Sequence, residues 1–146
     1  MTTEITSHQK YFNAFMGRWE GLSKTFDENG ALLESTAVHM DIAWLDSETF
    51  EQVEHIERLY QVGEVTLKSR IRVSEKIARA KTDHLDLQAT ALSAGVFFFR
   101  VESGVSKTTL HNTHVFLDHN TRRVVTHKIK DGKTFVFQVQ DFNRID

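Results

Sequence analysis

The sequence predicts an all-β domain, an antiparallel up-and-down meander of roughly eight to ten strands closed into a barrel behind a short N-terminal helix. Three observations lead there. The hydrophobic period changes from helical to two after Gly17 and stays at two to the end of the chain. Glycine and Asn/Asp turn signals recur between strand-length runs, and no stretch has the alternating strand and helix spacing of a parallel sheet. Long antiparallel strands in that number curl and close, because closure removes the edges that would otherwise pair between chains.

The helix is expected where Ser7 caps a short segment carrying Tyr11, Phe12, Phe15 and Met16 at spacings of one, three and four, with Gly17 ending it. So short a helix needs its aromatic face docked on the rest of the domain. The first strand, residues 19–26, is separated from the second, 32–44, by Asp27-Glu28-Asn29-Gly30. Val62-Gly63-Glu64 divides residues 50–60 from 65–73. In the latter strand Val65, Leu67, Ser69, Ile71 and Val73 alternate with Thr66, Lys68, Arg70 and Arg72, which marks one buried and one solvated face. Residues 90–94 read equally as a helical turn or a loop, and Phe97 to Phe99 is apolar on both faces. Asp118-His119-Asn120 precedes the strand 121–130, where Val125, His127 and Ile129 share a face. Lys130-Asp131-Gly132-Lys133 is a hairpin signal leading to the last strand, where Phe135, Phe137 and Val139 share a face.

At 146 residues the chain has the size of one domain, 1–146, and can bury roughly two thirds of its unfolded surface. The 18 Lys and Arg against 20 Asp and Glu give a net charge of −2, so no global field draws the protein to nucleic acid or to an anionic membrane. Zero cysteines exclude disulfides, thiolate chemistry and Cys-bound zinc. Zero prolines, where average usage would give about seven, leave the turns to Gly, Asn and Asp. The first twenty residues lack the basic start and apolar run of a signal peptide, and no run approaches the roughly 18 apolar residues of a membrane span. A cytoplasmic location is expected. The composition does not decide the assembly state, and a homodimer is compatible with it.

The run Phe15-Met16-Gly17-Arg18-Trp19-Glu20-Gly21, a short helix entering a Gly-x-Trp at the first strand, resembles the opening of the calycin superfamily of lipocalin and fatty-acid-binding-protein barrels. The longer string GRWEG followed by TFDENGALLES, with the alternation of Phe50, Gln52 and Glu54, is similar to a poorly characterised bacterial group of lipocalin-like domains. The resemblance implies that Trp19 plugs one end of a lipocalin-like barrel and that Arg144, near the end of the last strand, packs across it. It also implies a cavity for a small, largely hydrophobic ligand. Relatives with this barrel include isomerases, decarboxylases and chromophore lyases, so catalysis stays open by analogy of fold.

Polar residues at alternate positions supply the candidate contacts, since a ligand-holding interior needs a few placed donors and acceptors among apolar walls. Gln52, Glu54 and Arg58 share a face with Phe50, Ile56 and Tyr60. Asn112 and His114 share one with Leu110 and Phe116, while Gln138 and Gln140 alternate with the Phe135, Phe137 and Val139 face. Trp44 continues an apolar stripe of Val38, Met40 and Ile42, either as core or as a ligand platform. Glu54 with His114 or His127 is the acid and base pair that a small barrel enzyme, an isomerase or lyase acting on a hydrophobic metabolite, would use.

The eight histidines are scattered; His111 and His114, three apart on a strand, face opposite ways, so no metal site is expected. A haem barrel resembling the nitrobindins would need His114 or His127 in a dry pocket, but the opening lacks that group's second glycine spacing, and no cofactor is expected. The basic residues Lys68, Arg70 and Arg72 on one strand, and Arg122, Arg123, Lys128 and Lys130 on another, read as solvated faces diluted by acidic neighbours rather than as a nucleic-acid surface.

Overall fold

The turns are built as the composition requires, with aspartates in place of proline. The Asp27 carboxylate accepts the N–H groups of Asn29 and Ala31, Asp46 accepts those of Glu48 and Thr49, and Asp118 accepts that of Asn120. At the last hairpin Asp131 and Gly132 both take positive φ, 52° and 75°, the conformation that an Asp-Gly pair adopts at low cost. These turns join ten antiparallel strands in a computed structural model of the chain, which describes residues 5–58 and 63–145.

The strands are β1 (Gly17–Asp27), β2 (Leu32–Trp44), β3 (Thr49–Arg58), β4 (Glu64–Ser74), β5 (Ile77–Lys81), β6 (Leu85–Ser93), β7 (Val96–Ser103), β8 (Thr108–Asp118), β9 (Thr121–Lys130) and β10 (Lys133–Arg144). Each pairs with its sequence neighbours, and β10 returns to β1 to close the barrel. The ambiguous residues 90–94 belong to β6 up to Ser93.

The expected N-terminal helix is not formed. Residues 7–12 are turns, followed by a single turn of 3₁₀ helix at Asn13–Phe15, and the cap is not Ser7. Thr6 and Gln9 cap each other instead: Thr6 Oγ1 accepts the Gln9 N–H and Gln9 Oε1 accepts the Thr6 N–H. Too few residues lie between this cap and β1 for a helix to repay its nucleation cost, so packing holds the segment. Phe12 and Phe15 are fully buried against Phe50, Phe97, Phe99 and Phe116.

The period-two alternation assigns the faces. Trp19, Met40, Phe50, Ile71, Phe97, Val124 and Phe142 face the interior. In β10 the interior side carries Gln138, Gln140 and Phe142, so Phe137 and Val139 face out, and in β9 Val125, His127 and Ile129 are likewise on the outer side of Val124 and Thr126. One close approach depends on glycine: a Cβ on Gly21 would stand 2.1 Å from the Asp141 carbonyl oxygen of β10 and 2.7 Å from the Phe142 ring.

The interior is filled at one end and open at the other. Along the inner face of β4, Ile71 and Val73 are 2% and 1% exposed, while Leu67 and Val65 are 49% and 43% exposed. The barrel is therefore a cup whose floor is the aromatic plug. Phe12→Ala should lower the unfolding free energy by about 3–5 kcal/mol in urea denaturation followed by tryptophan fluorescence. A loss below about 1 kcal/mol would mean that the turn segment does not plug the floor.

Candidate functional site

The floor is organised around Trp19. Its indole N–H donates to the Phe15 carbonyl at 3.0 Å, tying the plug to β1. The Arg144 guanidinium carbon lies 4.3 Å from the Trp19 ring centroid, and Arg144 also donates to the carbonyls of Ala14, Met16 and His119. The other flank of the site is a residue that the sequence reading assigned to a solvated strand face. Arg122 is 1% exposed. Its guanidinium lies 4.6 Å from the Trp19 ring and within 5.1–5.6 Å of Phe15, Phe116 and Phe142. Arg122 sits on the inner side of β9 because its alternation partners are Val124 and Thr126; Arg123, its neighbour, points out to Asp141. Two faces of that strand carry a basic residue, and only closure of the barrel decides which one is inside.

Above this floor the interior is polar on two walls. On one, Gln52 Nε2 donates to Glu54 Oε2 at 3.3 Å. On the other, Asn112 and His114 face in from β8, beside Thr126 on β9 and Gln140 on β10, with Ser23 opposite Gln140 on β1. Gln138, nearer the mouth, reaches Thr25. Among the described residues, Ser23 Oγ, Asn112 Oδ1, His114 Nδ1 and Arg122 Nε are buried polar atoms without a hydrogen-bond partner. Buried polar atoms are nearly always satisfied by protein, water or a bound molecule, at a cost of roughly 1–3 kcal/mol when they are not.

The electrostatics follow from burial. Desolvation holds the Glu54 carboxyl above its ordinary range, against the opposing pull of Arg122 and the Gln52 hydrogen bond. Desolvation also drives His114 well below the ordinary imidazole value, and the nearby Arg122 charge adds to it. Arg122 itself is lowered to about 9 by burial, with Glu54 opposing and Arg144 assisting, and so stays cationic at neutral pH. The interior thus holds a cation at its floor, a carboxyl reluctant to ionise on one wall and a neutral imidazole packed on Phe99 at 4.5 Å.

Three of the residues predicted from sequence do not line this interior. His127 faces outward, its ring 4.9 Å from Phe137 on the outer surface, because the inner position of β9 is Thr126. Trp44 belongs to the plug, where its indole N–H donates to Asn13 Oδ1 and its ring packs edge-on against Phe50. Arg58 stands at the exposed rim, 3.2 Å from Glu34. Tyr60 lies outside the described residues. Gln52, Glu54, Asn112, His114, Gln138 and Gln140 are brought to one interior. Ser23, Thr36, Thr126 and Arg122 are also buried, and in the sequence each showed only that it alternates with residues of the opposite face.

A groove also crosses the outer surface of β1 to β4, where His39 and His55 face each other with ring centroids 6.0 Å apart. No group of three His, Asp or Glu side chains among the described residues is arranged to hold a metal ion. No helix among them is long and apolar enough to cross a membrane.

No family model matches the chain, and no curated protein does. Solved structures match its fold. A protein of unknown function of the DUF3598 family from Nostoc punctiforme superposes with a TM-score of 0.73 at 16% identity, over 91% of this chain and 48% of that one, so the chain spans about half of its length. An S-type phycobiliprotein lyase from Guillardia theta gives a TM-score of 0.71 at 12% identity, covering 97% of this chain and 94% of the lyase. The barrel mFAP2b bound to DFHBI gives 0.52 at 10% identity, covering 93% and 98%. The class defined by the fold is a closed, ten-stranded, up-and-down antiparallel barrel.

The shifted groups make stability depend on pH in opposite senses. Between the ordinary imidazole value, about 6.5, and the depressed value of His114, the unfolded chain binds a proton that the folded protein refuses, so stability falls as pH falls. Glu54 contributes stability that is full below about pH 4.3 and is lost as pH rises through its elevated value. The His114 ring resonances should therefore show no inflection near pH 6.5 in an NMR titration of the folded protein. An inflection there would put the imidazole in water.

Proposed function

We propose that the barrel is a binding cup for a small, largely hydrophobic molecule, oriented by a few polar contacts from Glu54, Gln52, Asn112, His114 and Gln140, in a cytoplasmic protein. The observation that carries this reading is the set of inward-facing atoms, Ser23 Oγ, Asn112 Oδ1 and His114 Nδ1, buried without a protein partner. A molecule entering from the open end would meet Val65 and Leu67, apolar and half exposed on the inner side of β4, and deeper in would supply partners to these unsatisfied groups. Apolar walls provide most of the driving force, at roughly 25 cal/mol per Å² removed from water, while the polar atoms select orientation. Ser23 and Thr126 belong to the same interior by their register. The likeness of fold to a phycobiliprotein lyase and to a barrel bound to DFHBI supports the reading.

Native mass spectrometry of the protein purified from its own host, with an absorption spectrum from the ultraviolet to the near infrared, tests it. The expected result is a stoichiometric small molecule that is lost in Asn112→Leu. A wild-type protein that carries no molecule and binds none from a panel of hydrophobic metabolites would remove the reading.

A second reading, a small isomerase or lyase, is favoured by one observation: Glu54, held towards its protonated form, shares the interior with a neutral His114, and both sense Arg122. That is an acid and base combination able to move a proton on a bound substrate. Glu54→Gln separates the two. A binder should retain its ligand with affinity changed by less than about tenfold, whereas an enzyme should hold its substrate and lose about 10²-fold or more in turnover.

A further inference from the structure

The wall of the barrel is not equally closed all the way round. β4 pairs with β3 from Glu64 to Arg72, but with β5 only at Arg72, Val73 and Ser74, opposite Arg79, Ala78 and Ile77. From there towards the mouth, β4 has no ladder partner on its β5 side among the described residues.

The direction of the free groups can be assigned. The Val73 N–H donates to the Glu48 carbonyl on the β3 side. In an antiparallel strand, successive residues send their N–H and C=O groups to opposite neighbours. Ile71, Ser69, Leu67 and Val65 therefore bond towards β3, and Arg70, Lys68 and Thr66 present their polar groups to the open seam.

The side chains around the seam have a definite chemistry. On the outer surface Lys68, Arg70 and Arg72 line one lip and Arg79 and Lys81 the other, with Arg72 directly opposite Arg79. Glu51 lies near both Lys68 and Arg70, at 3.6 and 3.1 Å, and Glu48 lies 3.3 Å from Arg72. Among the described residues, no carboxylate lies within ion-pair distance of Arg79 or Lys81. On the inner side the seam exposes Val65 and Leu67.

We propose that this seam takes up an extended segment of a partner protein as an added strand, one that alternates acidic and apolar residues. Its backbone would complete the ladder at Thr66, Lys68 and Arg70; its outward carboxylates would meet the five cations and its inward side chains would cover Val65 and Leu67. A segment of five residues, about 17 Å long, spans the free edge. The charges argue against the two other occupants of such an edge. A second copy of β4 would bring Lys68 and Arg70 against themselves, the device by which edges resist self-pairing. A nucleic acid would use the cations and leave both the strand edge and the apolar lip unpaired. The proposal does not depend on what the cup binds.

The test uses the full chain, ¹⁵N-labelled, and a synthetic octapeptide alternating valine and glutamate. In the free protein the amides of Thr66, Lys68 and Arg70 should exchange rapidly while those of Leu67 and Ser69 are protected; the peptide should slow the first set by about tenfold or more. Lys68→Pro removes the central N–H facing the seam without touching the β3 ladder, and should abolish the effect. Arg79→Glu, which leaves the backbone alone, should weaken binding about tenfold. The proposal is overturned if Thr66, Lys68 and Arg70 are already protected in the free monomer, or if a valine and lysine peptide binds equally well. Protection that appears with protein concentration alone would assign the edge to a second copy, and tighter binding of a single-stranded oligonucleotide would assign it to nucleic acid. Either result also ends the proposal.

Discussion

The structure depends on how Trp19 is held between two arginines at the floor of the barrel. Arg144 seals it from outside and ties the end of β10 to the carbonyls of the turn segment; Arg122 covers it from inside. Removing a guanidinium from water costs several kcal/mol, and each cation–π contact returns about 0.5–2. The four rings around Arg122 are therefore comparable with the penalty, and the field of Glu54 adds to their side. No carboxylate among the described residues lies within ion-pair distance of Arg122, so the aromatic cage has to stay intact around it. The plug, the buried cation and the polar wall form one arrangement.

That arrangement creates a gradient along the barrel axis. Bulky aromatics fill the floor; Gln52, Glu54, Asn112, Thr126 and Gln140 occupy the interior above it; and inner apolar positions become half exposed towards the mouth. A core of uniform Leu and Val would have closed on itself. Polar side chains stand at inner positions instead, several with an atom unsatisfied by protein, and their cost is borne by the packing below.

The same economy appears in the wall. β5 is the shortest strand and meets β4 over three residues, so closure is secured near the floor and relaxed towards the mouth. Lys68, Arg70 and Arg72 on one lip of this gap were legible as a basic stripe in the sequence, Arg79 and Lys81 on the other were not, and a stripe on a fully paired strand and a stripe on a free edge have different consequences. The register of one short ladder separates them.

Period-two alternation, Asp and Gly turn signals and the Gly-x-Trp opening determined the all-β meander and most strand limits, because these are local properties of backbone and neighbouring side chains. They also grouped Gln52 with Glu54 and Asn112 with His114, since residues two apart share a face whatever the fold. Local pattern could not decide which face of β9 is inside: Arg122, Val124 and Thr126 or Arg123, Val125 and His127 offer a basic residue, a valine and a polar residue each, and only closure against β8 and β10 buries the first set. It likewise suggested a helix where aromatic spacing was helical, whereas docking of Phe12 and Phe15 into the barrel leaves one 3₁₀ turn. The sequence by itself determined where strands run and which residues travel together. The tertiary structure decided inside from outside, because that choice belongs to pairings between strands distant in the chain.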